Sequence, residues 1–120
     1  MRQDIDVLLV DDDKDICAML EAILQYSGFS HQTCGTPDAL YRLMDAYKPK
    51  IIVMDMLLSG ADGRDTCREL KHNKGTLGIK IMMMSAHPDA EDSCRKAGAD
   101  EFISKPFDMD QFIQKIGEQL

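Results

Sequence analysis

Asp11 and Asp12 follow the apolar run Val7–Val10, and Asp55 follows Ile51–Met54. Ser85 follows Ile79–Met84, and Lys105 follows Phe102–Ser104. If these runs are strands of one open parallel sheet, their carboxyl ends share an edge, and ligands gather there. Residues far apart in the chain then converge on one pocket with three acids, a hydroxyl and an ammonium. Three carboxylates held together repel one another, and Lys105 supplies only one compensating charge. A hard cation with oxygen ligands balances the remainder, and Mg²⁺ suits a site that keeps waters and meets a phosphate. Asp11 and Asp12 are expected to hold that ion. Asp55, alone on its strand, is free to attack a phosphoryl group, with metal and ammonium stabilising the transferring charge. Ser85 is placed to donate a hydrogen bond to a phosphoryl oxygen.

Taken singly, each residue has a plainer explanation. Asp13 reads best as a cap of the first helix, Asp55 could end a strand, Ser85 could cap a helix, and Lys105 could be a surface lysine beside a turn proline. Their shared position at strand ends is what favours a site. A calcium loop is not formed: the alternating acids Asp11, Asp13 and Asp15 lead to Ile16 and Ala22, where that loop needs Gly and an acid.

The elements that must position these groups alternate strictly between short apolar runs and amphipathic helices. The first strand is expected at about Asp6–Val10. A helix follows, with Ile16, Met19, Leu20, Ile23 and Leu24 on one face and Gly28 as its stop. Ser30–Cys34 is a weak second strand. Thr36-Pro37-Asp38 opens a second helix whose buried stripe is Ala39, Leu40, Leu43, Met44 and Tyr47. Lys50–Met54 is the third strand, bounded by Pro49. Ser59–Gly63 is loop chemistry before a third helix near Arg64–Asn73, whose apolar stripe is thin (Cys67 and Leu70). Ile79–Met84 is apolar on both faces, as a covered parallel strand should be. A fourth helix spans about Pro88–Ala97 and ends at Gly98; only Ala90, Cys94 and Ala97 anchor it, so it is expected to be mobile. Phe102–Ser104 belongs to the fifth strand. Asp108 caps the last helix, with Gln111 in the capping-box position and Met109, Phe112, Ile113, Ile116 and Leu120 inward. Five βα repeats imply one α/β domain over residues 1–120, with a parallel sheet, right-handed crossovers and helices on both faces.

The 120 residues suffice for one core, and 44% hydrophobic with 29% charged residues is an ordinary globular mix. No run nears the roughly 18 apolar residues of a membrane span. Met1–Asp6 is polar and lacks a basic-then-apolar leader, so a cytoplasmic location without membrane contact is expected. The net charge of −7 argues against direct nucleic-acid binding. Cys17, Cys34, Cys67 and Cys94 lack any CxxC pairing and read as small hydrophobes in a reducing compartment. Met82-Met83-Met84 reads as core filling, and His31 and His72 as surface residues. His87 stands near the pocket rim as an exposed residue, with water access to the acyl phosphate as its sharper role.

The segments LLVDDD at 8–13, IIVMDMLLSGADG at 51–63, IMMMSA at 81–86 and KAGADEFISKPF at 96–107 span the chain. Together they resemble the receiver domain of two-component response regulators, of the single-domain chemotaxis-like type. The resemblance implies a flavodoxin-like, doubly wound (βα)₅ fold with strand order 2-1-3-4-5. Asp55 then matches the phosphoacceptor, taking its phosphoryl group from a phosphohistidine on a sensor histidine kinase or histidine phosphotransfer protein. Mg²⁺ is the implied cofactor, held by Asp12 directly, by Asp11 mostly through water, by Asp55 and by the Leu57 backbone carbonyl. Ser85 matches the hydroxyl position, commonly Thr in the family, and Lys105 the family lysine. Pro106 matches a proline usually preceded by a cis bond, and Phe102 the switch aromatic. Phosphorylation would draw in Ser85 and Lys105, let Phe102 rotate inward, and reshape the surface of the fourth helix, fifth strand and fifth helix. Phe102 lacks a hydroxyl and is expected to favour the inward position even without phosphate.

Such a domain is no stand-alone enzyme, although it promotes its own phosphotransfer and autodephosphorylation. It acts on a downstream target protein or an output domain not in this sequence, and the resemblance also admits a homodimer through the switching surface. Two departures stand out. Ser59 replaces the usual proline four residues after the phosphoacceptor, implying a looser loop, and Lys50 occupies an often acidic position far from the pocket. The alternatives are a haloacid-dehalogenase-like phosphatase, with Asp11 as nucleophile and Asp13 as acid, and a receiver-like binding module that is not phosphorylated. The first leaves Asp55 without a task and lacks that family's later acidic pair. The second discards reactive groups that are all present.

Overall fold

The computed structural model describes all residues, Met1–Leu120. Five parallel strands form the main sheet: β1 (Gln3–Val10), β2 (His31–Cys34), β3 (Tyr47–Asp55), β4 (Lys80–Ser85) and β5 (Glu101–Ser104). Their spatial order is β2-β1-β3-β4-β5. The crossovers carry α1 (Lys14–Tyr26), α2 (Pro37–Ala46), α3 (Gly63–Lys71) and α4 (Ala90–Lys96), and α5 (Met109–Gln119) follows the last strand. A small antiparallel hairpin pairs Leu57–Leu58 with Ala61–Asp62 just after β3.

Alternation along each strand divides the core. Leu8, Val10, Ile52, Met54, Ile81, Met83 and Phe102 meet α2, α3 and α4 through Leu40, Met44, Cys67, Leu70, Ala90 and Cys94. Val7, Leu9, Ile51, Val53, Met82, Met84 and Ile103 point the other way, onto Leu20 and Leu24 of α1 and Phe112 and Ile116 of α5. Both faces are covered, which is why the central strands read as unbroken apolar runs. Phe107 stacks on Phe112 with ring centroids 5.3 Å apart.

Local signals place the helix starts. Asp13 accepts from the Asp15 and Ile16 amides, Thr36 from Ala39 with Pro37 in the first turn, and Asp108 from Gln111. Gly28 and Gly98 take positive φ just after α1 and α4.

Several boundaries differ from expectation. β1 begins at Gln3 and β3 at Tyr47, so Tyr47 is a strand residue and not part of the α2 stripe. Pro49 lies inside β3, opposite Ile5. There β3 has only β1 beside it, since pairing to β4 begins at Ile51 with Lys80, and an unpartnered flank tolerates a residue without an N–H. α3 stops at Lys71 and α4 starts at Ala90, after a turn through Pro88 and Asp89. Met19, Met109 and Leu120 are exposed although the helical period assigned them inward.

Candidate functional site

The carboxyl edge of the sheet gathers the chemistry. Asp11, directly after β1, is 2% exposed. Its Oδ1 accepts from the Asp13 amide at 2.9 Å, while Oδ2 has no hydrogen-bond partner. Asp55 is the last residue of β3, and its Oδ1 lies 3.1 Å from the Lys105 ammonium. The same Nζ is 3.6 Å from the orphaned Asp11 Oδ2. Lys105 follows β5 and is tethered by its backbone amide, which donates to Ser85 O at 2.9 Å. The Lys105–Pro106 peptide is cis. Asp12 is exposed, and its Oδ2 accepts from both the amide (2.7 Å) and the hydroxyl (2.5 Å) of Ser59. One carboxylate oxygen from each of Asp11, Asp12 and Asp55 falls within 4.8 Å of the others.

Burial pushes the Asp55 carboxyl above its ordinary range; Lys105 opposes the shift, and Asp11 and Asp12 add to it. Asp12 is held below its ordinary range, chiefly by the Ser59 hydroxyl and then by the Ser59 amide. Three acids against one ammonium leave the cluster short of positive charge. The buried Asp11 Oδ2 has only the Lys105 ammonium, beyond hydrogen-bond distance and shared with Asp55, to offset its charge. An all-oxygen donor set with an orphaned lone pair suits a hard divalent cation such as Mg²⁺.

Ser85 ends β4 and is buried, its Oγ accepting from the His87 amide at 3.0 Å and making no hydrogen bond to the acids. Phe102 is 4% exposed and packs with Ala90, Cys94 and Met83, so its ring is inward. Leu57 has an exposed side chain in the hairpin opposite Asp62, and shares a shallow cleft with His87, Arg64 and Ser93. All four cysteines are free, and burial pushes the Cys17, Cys34 and Cys67 thiols up to about 11, away from reactivity. Lys50 pairs with Asp6, away from the acids.

Three participants escaped the sequence reading. From the sequence Ser59 signals loop chemistry, a missing proline and a looser loop; in the structure the hairpin and two bonds to Asp12 hold it. Gly63 donates to Met56 O, and a Cβ there would overlap the Asp55 carbonyl oxygen, so only glycine lets α3 begin this close to β3. Arg64 pairs with Asp62 and reaches Ser93 of α4 at 3.1 Å, bridging the loop after β3 to α4. The Gly60–Gly63 turn chemistry was the only signal for the last two.

A family model described as the response regulator receiver domain matches residues 7–117. The chain belongs to that family. This receiver is 31% identical, over all of its length, to the DNA-binding response regulator MtrA of Mycolicibacterium paratuberculosis (strain ATCC BAA-968 / K-10), and covers 52% of it. It therefore spans about half the length of that relative. The signal receiver domain of a signal transduction histidine kinase from Syntrophus aciditrophicus superposes with a TM-score of 0.88 at 24% identity, covering 97% of the receiver and 89% of that chain. The chemotaxis response regulator CheY4 of Vibrio cholerae gives 0.85 at 21% identity, with both chains fully covered. These likenesses establish the flavodoxin-like fold. The receiver is thus a domain of two-component signalling, and no helix in it is long and apolar enough to cross a membrane.

Proposed function

We propose that the receiver accepts a phosphoryl group on Asp55 from a phosphohistidine of a sensor histidine kinase or phosphotransfer protein, in the cytoplasm, in an Mg²⁺-dependent reaction. The observation that carries this reading is the convergence of Asp11, Asp12 and Asp55 on one another, with Lys105 Nζ 3.1 Å from Asp55. Asp11, Asp12 and Asp55, with the Leu57 carbonyl, would hold the ion. When bound, Mg²⁺ supplies charge neutralisation for the acids and for the phosphoryl oxygens.

The chain's own groups do the rest. An Asp55 oxygen attacks phosphorus as the phosphorus–nitrogen bond of the donor breaks, its electron pair remaining on the imidazole nitrogen. Burial makes this carboxylate more basic than a solvated one, which favours attack, while the Lys105 ammonium 3.1 Å away opposes that shift and meets the incoming charge. The Ser85 oxygen accepts from the His87 amide, so its own proton is free to turn toward a phosphoryl oxygen. That inward pull, with the Phe102 ring of β5 already turned into the core, would change the α4–β5–α5 surface read by a target protein, an output domain or a second copy of the chain. The acidic balance of −7 favours a protein reader over direct DNA contact.

Labelling with a small phosphodonor tests the assignment. Mg²⁺-dependent label should be lost in Asp55→Asn and retained, at reduced level, in Asp11→Asn. Loss confined to Asp11→Asn would instead favour the haloacid-dehalogenase chemistry, and absence of any label in the unsubstituted chain would favour a binding module.

A further inference from the structure

We infer that Ser59 is a positioning residue for the divalent cation, holding the Asp12 carboxylate in the orientation that meets the ion. This rests on the reading of Asp11, Asp12 and Asp55 as the Mg²⁺ site, and adds to it a group from outside the acidic cluster. Asp11 is buried and held by the Asp13 amide, and Asp55 is held by Lys105. Asp12 is different: its side chain is exposed, and the bonds that hold it come from a residue 47 positions away. Both bonds, from the Ser59 amide and hydroxyl, land on Oδ2. Oδ1 receives no bond from Ser59 and keeps its lone pairs for a cation.

The hairpin makes this arrangement reproducible. Leu57 pairs with Asp62 and Leu58 with Ala61, so Ser59 and Gly60 form the two-residue tip. Gly60 takes φ +73°, a conformation that L side chains rarely adopt and glycine adopts freely. The turn therefore presents the Ser59 amide and hydroxyl together toward the end of β1. A proline at 59 has neither a backbone N–H nor a hydroxyl and could make neither bond. An exposed carboxylate without such a tether must surrender rotamer freedom when it binds an ion, whereas a tethered one has already done so. Removing the outer partner of a metal ligand typically costs roughly 10- to 100-fold in metal affinity.

A magnesium titration of the full chain, followed by amide chemical shifts with no phosphodonor present, reads this directly. Ser59→Ala keeps the amide donor and should bind Mg²⁺ about 3-fold more weakly, the worth of one modest hydrogen bond. Ser59→Pro loses both donors and should bind about 10-fold more weakly or worse. Ser59→Thr restores the hydroxyl and should bind within about 2-fold of the unsubstituted chain. Metal-free melting temperatures of the Ala and Thr variants should stay close to the parent, the lost bond being one to an exposed carboxylate, which separates cation positioning from loop stability. Binding in Ser59→Ala as tight as in the parent, or tighter, would overturn the role of Ser59 while leaving the metal site standing. No saturable binding in the parent would overturn both.

Discussion

Asp55 sits between opposed fields: burial and the neighbouring acids disfavour its charge, and Lys105 favours it. The net effect is a carboxylate that destabilises the metal-free fold whenever it is ionised. Asp55→Asn should therefore raise the metal-free melting temperature at neutral pH, as measured by calorimetry. Mg²⁺ at tenfold excess over its Kd should stabilise the parent by about 1.4 kcal/mol, and Asp55→Asn by clearly less. Gly63 bears on the same residue from below. Gly63→Ala forces a methyl group against the Asp55 carbonyl and should destabilise the fold by about 1–3 kcal/mol in urea unfolding. At this scale the sequence exposed the reacting groups but not their restraints. An acid, hydroxyl or amine at the end of an apolar run is visible in one dimension. The Ser59–Asp12 bonds depend on a rotamer and a turn conformation, and Gly63 on a backbone approach of β3 to α3. No residue type announces either.

Among the elements, α4 combines weak apolar anchoring with several polar ties. Only Ala90 and Cys94 are buried within its seven residues, and its first turn lacks a side-chain cap. Ser93 receives Arg64, and Arg95 pairs with Glu101 of β5 at 2.9 Å. Glu101 also meets Lys115 of α5 at 3.3 Å and its neighbouring Phe102 amide at 2.8 Å. Burial alone would raise the Glu101 carboxyl, but the Phe102 amide, Lys115 and Arg95 together hold it below its ordinary range. A folded-state value below the unfolded one means stability that is present above the ordinary carboxylate pKa and lost as pH falls through the lowered one. Glu101→Gln should thus cost about 1 kcal/mol at neutral pH, with the two unfolding curves converging under acid conditions. The existence and type of all ten main elements were legible from periodicity and caps, whereas several ends were not. Pro49 marked a boundary by its chemistry, yet pairing on one side alone let β3 pass through it. The sequence pattern starts α4 two residues early because Pro88 and Asp89 suit a first helical turn as well as the bend they form.

For the molecule as a whole, alternation of five apolar runs with five helices already implied the doubly wound sheet, and the family resemblance supplied the strand order that was found. The apolar material is unevenly shared between the sheet's two sides. Against α1 and α5 it consists of Leu, Val and Ile with Phe112, Met82 and Met84, and includes no buried cysteine or alanine. Against α2, α3 and α4 methionine is similarly frequent (Met44, Met54, Met56 and Met83), and Cys67, Cys94 and three alanines are added. Phe112→Ala should accordingly cost about 3–5 kcal/mol of folding stability. Met83→Leu should cost less than about 1.5 kcal/mol, both read from denaturant midpoints. Small side chains hold their neighbours through little apolar area, whereas branched aliphatics interlock. The sheet consequently separates a stiff keel from a pliant upper deck, and Phe102 lies on the pliant side, where a shift of one ring can be absorbed by its neighbours without loosening the hull.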